Sequence, residues 1–201
     1  IERGYFEVKI AVLGSGGWGT ALALVLLENG HDVTLWSYTE EESAVLRQTG
    51  ENPMLKGVAL PKELKLTSDL ACVKGCGAVV LATPSFAVRT TAKAAASLLE
   101  PGAVLVSVSK GIEKDTSLTL TDAIEQEVGD AHPIVALSGP SHAEEVGRHI
   151  PTVVVSASKD RSAAEQVQDL FMNERFRVYA SDDGVGVELG AALKNVLALC
   201  C

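Results

Sequence analysis

The 201-residue chain sets 17 Lys and Arg against 26 Asp and Glu, giving a net charge of −9 and a pI near 4.9. Without any long basic run it lacks the electrostatic footprint of a nucleic-acid partner. Its 47% hydrophobic content suffices for one large α/β core, and the absence of a leader or of a run of about eighteen apolar residues predicts a cytoplasmic protein without membrane insertion.

The first elements are the most informative. Val8–Leu13 is a short apolar, β-branched run that leads directly into Gly14-Ser15-Gly16-Gly17-Trp18-Gly19. Thr20–Glu28 is rich in Ala and Leu and reads as a helix, Asn29-Gly30 stops it, and Asp32–Trp36 reads as a second strand. Strand, glycine turn, helix and strand in this order form a dinucleotide-binding βαβ unit. Gly14 permits the turn, Gly16 lets the backbone approach a pyrophosphate, and Gly19 lets the helix pack closely on the strand. The anion would lie at the helix N-terminus, where unpaired N–H groups face it.

Strands and helices then alternate. Glu40–Gln48 reads as a helix, Asn52–Pro61 as a loop, Thr67–Lys74 as a short helix opened by Ser68-Asp69, and Ala78–Ala82 as a buried strand ended by Thr83-Pro84-Ser85. Phe86–Leu99 is an alanine-rich helix, Val104–Val108 a strand, Leu118–Val128 a helix and Pro133–Leu137 a strand ending in Ser138-Gly139-Pro140-Ser141. Thr152–Ser156, Asp160–Met172 and Phe176–Tyr179 add a further βαβ-like unit, and a last helix starts near Asp182. Seven or eight strands with intervening helices predict a doubly wound, mostly parallel sheet covered on both faces, of Rossmann type. Ligands of such sheets lie beyond the C-terminal strand ends, so the loops at 14–19, 83–85, 109–111 and 138–141 should line one cleft.

Cys72, Cys76, Cys200 and Cys201 match no zinc or redox spacing, and His31, His132, His142 and His149 lack the spacing of a metal-binding helix, so no metal is expected. Two lysines stand out. Lys110 occupies a strand-end turn, and Lys194 lies in the nearly apolar run Glu188-Leu189-Gly190-Ala191-Ala192-Leu193-Lys194-Asn195. From residue type alone, Lys194 either snorkels to solvent or faces a functional cavity.

Gly-Ser-Gly-Gly-Trp-Gly-Thr-Ala-Leu-Ala at 14–23, Ser-Lys-Gly-Ile-Glu at 109–113, Ser-Gly-Pro-Ser-His-Ala at 138–143 and Glu-Leu-Gly-Ala-Ala-Leu-Lys-Asn-Val at 188–196 resemble the bacterial NAD(P)-dependent glycerol-3-phosphate dehydrogenases, over essentially the whole chain. The resemblance implies hydride transfer between sn-glycerol 3-phosphate and dihydroxyacetone phosphate with NAD or NADP, supplying glycerol 3-phosphate for phospholipid synthesis. It makes Lys194 the general base, with Lys110 touching both substrate and cofactor. Gly139, Ser141 and Asn195 would meet the substrate. Gly14, Ser15, Gly16, Gly17, Trp18, Gly19, Tyr38 and Ala143 would meet the cofactor. A lysine base must be lowered from about 10.4 toward ~7–8; an apolar helix and a like charge from Lys110 act in that direction, and the substrate phosphate acts against it.

The resemblance also implies an NAD(P)-binding domain over 1–181, with 182–201 starting the helix that leads into an absent C-terminal helical substrate domain. By itself this fragment is expected to bind cofactor with little turnover; the full-length protein allows a homodimer. Two departures stand out. After the second strand come Ser37-Tyr38-Thr39, with neither an acid to favour NAD nor the family's usual cation for NADP, so dual or NAD-leaning use stays open. Glu40–Glu42 are expected to open the next helix instead. The loop at Asn52–Gly57 is one residue shorter than in relatives, which leaves its contacts across the cleft open. The competing readings are a related β-hydroxyacid or sugar-acid dehydrogenase and a non-catalytic dinucleotide-sensing module.

Overall fold

A computed structural model describes residues 7–200, apart from the side chains of Asn195, Leu197 and Ala198. Eight strands form one sheet: β1 (Lys9–Leu13), β2 (Asp32–Trp36), β3 (Lys65–Thr67), β4 (Ala78–Leu81), β5 (Val104–Ser107), β6 (Ile134–Ser138), β7 (Thr152–Ala157) and β8 (Phe176–Ser181). Their order is β3-β2-β1-β4-β5-β6-β7-β8. The order reverses between β1 and β4, and the crevice beyond their C-terminal ends is where such sheets take ligands. Every neighbouring pair is parallel except β6 with β7.

The helices are α1 (Gly17–Glu28), α2 (Glu40–Thr49), α3 (Val88–Ala96), α4 (Leu120–Val128), α5 (Ala143–Gly147), α6 (Arg161–Phe171) and α7 (Gly184–Cys200). Helix α1 is apolar all round, and Gly19 through Leu26 are all buried, as the innermost helix of a covered sheet must be. It joins strands β1, β2 and β4 and helix α6 in one core cluster. The opposite sheet face carries a second cluster in which Val79, Leu81 and Leu105 meet Val88 and Ala92 of α3 and Leu120 and Ile124 of α4. Among the described residues no helix is long and apolar enough to cross a membrane.

Three local expectations need correction. The segment read as a helix over Thr67–Lys74 starts as the end of edge strand β3, paired with β2, and continues as a single 3₁₀ turn, Leu70–Val73. Asp69 caps that turn by accepting from the Ala71 N–H, and Gly75 at φ 73° ends it, leaving no length for an α-helix. The long helix expected over Phe86–Leu99 is a 3₁₀ turn, Ser85–Ala87, followed by the shorter α3. Finally, α5 is absent from the sequence reading, and with it the reversal at β7. The span from Ser138 to Thr152 holds one short helix that packs on α1, and β7 returns antiparallel beside β6.

A polar joint ties the far ends of α1 and α6. The Leu170 carbonyl accepts from Asn29 Nδ2 at 2.8 Å and meets His31 Nε2 at 3.2 Å. His31 is 5% exposed, and its Nδ1 has no hydrogen-bond partner among the described residues. Burial therefore pushes the imidazole below its usual value, with the Leu170 hydrogen bond opposing. The unfolded chain then takes up this proton first. Stability is expected to be level above about pH 6.5 and to decline as pH falls from there toward the lowered native value. Urea melts between pH 5 and 8 should show this slope in the native chain, and His31→Gln should remove it.

Candidate active site

The cleft starts from the glycine turn. Gly14 has φ 122°, and a Cβ on Gly19 would stand 2.0 Å from the Gly14 carbonyl oxygen, so strand end and helix start nearly touch. Gly16 is the N-cap of α1 and offers no side-chain cap. A Cβ there would have nothing within 4 Å. The first-turn N–H groups of α1 thus open onto free space without an internal acceptor, the arrangement that binds a phosphate.

Around this turn lies a cavity of about 1360 Å³. Its wall includes residues 14–19, Tyr38 after β2, Pro53 and Met54, residues 82–87 after β4, Ser109 and Lys110 after β5, residues 141–143 after β6, and Lys194 of α7. The loops after β4 and β5 are sewn together: Ser109 Oγ donates to the Thr83 carbonyl, and Gly111 at φ 143° lets the backbone approach Ser85. The indole N–H of Trp18 and the hydroxyl of Thr83, both on this wall, have no hydrogen-bond partner among the described residues. An open helix N-terminus, a roomy slot and orphaned polar groups fit a dinucleotide.

Lys110 is held by its surroundings. Its Nζ lies 3.4 Å from the Gly139 carbonyl oxygen and 5.9 Å from the centre of the Trp18 ring. Burial lowers it from the ordinary lysine value, and the nearby Lys194 ammonium lowers it further. The two lysines, 84 positions apart in sequence, therefore act on each other at one wall.

The loop carrying Lys110 is anchored from behind. Arg89 on α3 forks onto Glu113 at 2.8 and 2.7 Å and reaches Glu127 of α4 at 2.8 Å. That fork, with a bond from Thr116, holds the Glu113 carboxyl down to about 2. Ile112 pairs with Thr119 and closes the turn that directly follows Lys110.

The family model described as NAD-dependent glycerol-3-phosphate dehydrogenase N-terminus matches residues 9–164. The chain belongs to that family. It is 51% identical over 193 residues to the glycerol-3-phosphate dehydrogenase [NAD(P)+] of Moorella thermoacetica, covering 95% of this chain and 57% of that protein. With the protein of the same name from Fusobacterium nucleatum it shares 46% over 195 residues, covering 96% and 58%. The crystal structure of glycerol-3-phosphate dehydrogenase from Coxiella burnetii superimposes with a TM-score of 0.90 at 35% identity, covering 97% of this chain and 60% of that one. The chain thus spans a little over half the length of the relatives it matches.

Of the residues singled out in the sequence, Gly14, Ser15, Gly16, Gly17, Trp18, Gly19, Tyr38, Lys110, Ser141, Ala143 and Lys194 line this one cavity. Gly139 stands just behind the wall and meets Lys110 through its carbonyl. The side chain of Asn195 lies outside the described residues. The acids after β2 serve α2 as expected: Thr39 and Glu42 form a capping box, and Glu40 pairs with Arg47. Tyr38, 81% exposed, rests edge-on against Trp36 with ring centres 6.1 Å apart.

Asn52 is the residue that sequence reasoning missed. Its Nδ2 donates to the Ser15 carbonyl at 2.8 Å and to Thr20 Oγ1 at 2.6 Å, and its Oδ1 accepts the Met54 N–H at 2.9 Å. One buried amide thus fastens the loop that follows α2 to the glycine turn, with the Met54 carbonyl 2.6 Å from where a Gly17 Cβ would be. Its only signal in sequence was an Asn-Pro pair opening a loop. Asn52→Ala is expected to destabilise the fold by about 1–3 kcal/mol and to weaken dinucleotide binding, read from urea melts and from quenching of Trp18 fluorescence.

Proposed function

We propose that a protein of the relatives' length, with this chain as its dinucleotide-binding part, interconverts sn-glycerol 3-phosphate and dihydroxyacetone phosphate using NAD or NADP. The observation that carries this reading is the meeting of Lys110 and Lys194 at the wall of a cleft whose floor is the open N-terminus of α1. A bound nicotinamide cofactor supplies the acceptor or donor of the hydride at the substrate's C2.

The chain's own residues do the rest. The turn at Gly14–Gly19 binds the pyrophosphate through backbone N–H groups, while Tyr38 and Ala143 flank the two ends of the dinucleotide. Lys194 Nζ takes the C2 hydroxyl proton during oxidation and returns it to the carbonyl oxygen during reduction. Lys110 offers positive charge to the substrate beside the nicotinamide. Gly139, Ser141 and Asn195 orient the substrate, and the remaining phosphate contacts and the closure that excludes water come from a further helical domain. Such an enzyme would act in the cytoplasm, where it supplies glycerol 3-phosphate to phospholipid synthesis, and would pair as a homodimer.

The test is dihydroxyacetone phosphate reduction by the complete protein, with NADH and NADPH in parallel. Turnover with either establishes the reaction, and the ratio of the two reads out the Tyr38 end of the cleft, where Glu40 and Arg47 are committed to each other. Tight dinucleotide binding with no turnover would overturn it. The 201-residue chain alone is expected to bind dinucleotide and to turn over little.

A further inference from the structure

Glu188 is a carboxylate in an unusual place. It is 6% exposed, lies outside the cavity wall and belongs to the helix that carries Lys194. Its Oε1 accepts the Thr121 N–H at 3.0 Å, and its Oε2 accepts the Thr121 hydroxyl. Thr121 is in the first turn of α4, whose own cap, Thr119, satisfies the Asp122 N–H instead. Glu188 therefore reaches across from α7 to fill a donor that α4 cannot satisfy itself, at a helix end that favours negative charge.

We propose that Glu188 is a positioning residue: clamped on the N-terminus of α4, its carboxylate fixes the rotation and axial register of α7 and so delivers Lys194 to the cleft beside Lys110. The inference rests on the proposed role of Lys194, but its physical core does not.

Helix α7 leaves Val185, Leu189, Leu193 and Val196 exposed at 55%, 42%, 50% and 56%, although turning about its axis would bring them toward β6 and β7, the strands it lies on. Such a turn would pull Glu188 from Thr121, break both of their hydrogen bonds and leave the Thr121 N–H of α4 without its acceptor. At ~3.6 residues per turn, Lys194 stands about 120° around the axis from Glu188, on the side away from the exposed apolar stripe. Holding Glu188 fixed thus aims Lys194.

The clamp also shares its reference frame with Lys110. Thr119, the cap of α4, pairs with Ile112, and the Glu113 N–H donates to the Leu118 carbonyl at 3.0 Å. The segment that carries Lys110 is therefore built onto the same helix end that Glu188 grips. Both lysines are placed from one point.

Two conservative variants separate reach from charge. Glu188→Gln keeps the length, an acceptor for the Thr121 N–H and a donor for its hydroxyl, but loses the charge. Glu188→Asp keeps the charge but is one methylene short. The readout is the titration of Lys110 in the 201-residue chain, followed by NMR of ¹³C-methylated lysines, with Lys194→Met marking the midpoint when the second cation is missing. Glu188→Gln should titrate like the native chain, and Glu188→Asp should move at least half of the way to the Lys194→Met value. In the complete protein, Glu188→Asp should lower kcat about 100-fold with the cofactor KM unchanged, and Glu188→Gln should retain it. A displaced Lys110 midpoint in Glu188→Gln, or an unmoved one in Glu188→Asp, overturns the proposal. Absence of turnover in every form, native included, would instead overturn the reaction assigned above, while the Lys110 titration would still decide the role of Glu188.

Discussion

Lys194→Ala in the complete protein is expected to lower dihydroxyacetone phosphate reduction ~10³-fold or more while changing NADH affinity by about twofold at most. The reason is positional. Lys194 enters the cavity wall from α7 and is no part of the glycine turn, so in the proposed reaction its removal takes away proton transfer and leaves the backbone N–H groups of that turn intact. In the native chain the Lys194 ammonium also helps to hold Lys110 below its ordinary value, and in the variant Lys110 should titrate higher. Stopped-flow turnover, a cofactor binding isotherm and a lysine titration measure the three effects separately. A variant that retains most of its turnover would remove Lys194 from the mechanism.

Gly19→Ala should be the most damaging single methyl group in the chain. The added carbon would stand 2.0 Å from the Gly14 carbonyl oxygen and 3.0 Å from the Ala82 Cβ. The nearest of these is backbone at the end of β1 and cannot swing aside as a side chain would. Either α1 slides off the sheet or the turn at Gly14 opens. A loss of about 3 kcal/mol, the upper end for overpacking, is expected, with dinucleotide binding abolished because the N–H groups that cradle the phosphate move with the helix. A denaturant melt reads the first effect and isothermal titration with NADH the second. Gly16→Ala is the matched control: its Cβ meets nothing within 4 Å, so the fold should keep its stability while a Cβ intrudes on the phosphate site.

The contrast between these two glycines shows how far the sequence could be read. The spacing from Gly14 to Gly19, bounded by an apolar strand and an uninterrupted Ala-Leu helix, encodes the βαβ unit locally, because each element forms from neighbours in the chain. The same holds for the strand-end loops, whose Ser, Gly and Pro residues mark where the sheet stops. Lys110 and Lys194 could be picked out as cations in the wrong company, one in a turn of small residues and one in an apolar helix.

Other features were not legible, for a common reason. Strand β3 is three residues long and exists only because β2 offers it an edge. Helix α5 and the antiparallel turn of β7 depend on the surface of α1 that receives the segment between Ser138 and Thr152. The importance of Asn52 comes from partners 37 and 32 positions away, and that of Glu188 from one 67 positions away.

By itself, then, the sequence determined a doubly wound α/β fold, the dinucleotide turn at its switch point and the identity of the two lysines, since periodicity, glycine spacing and residue type are properties of adjacent positions. Only the tertiary structure decided that those lysines meet, that Asn52 locks a loop onto the glycine turn, and that Glu188 of α7 grips the start of α4. Each of these is a hydrogen bond or a Coulomb interaction between groups distant in the chain; the first needs contact distance and the second weakens with separation and screening, so both depend on the proximity that folding creates.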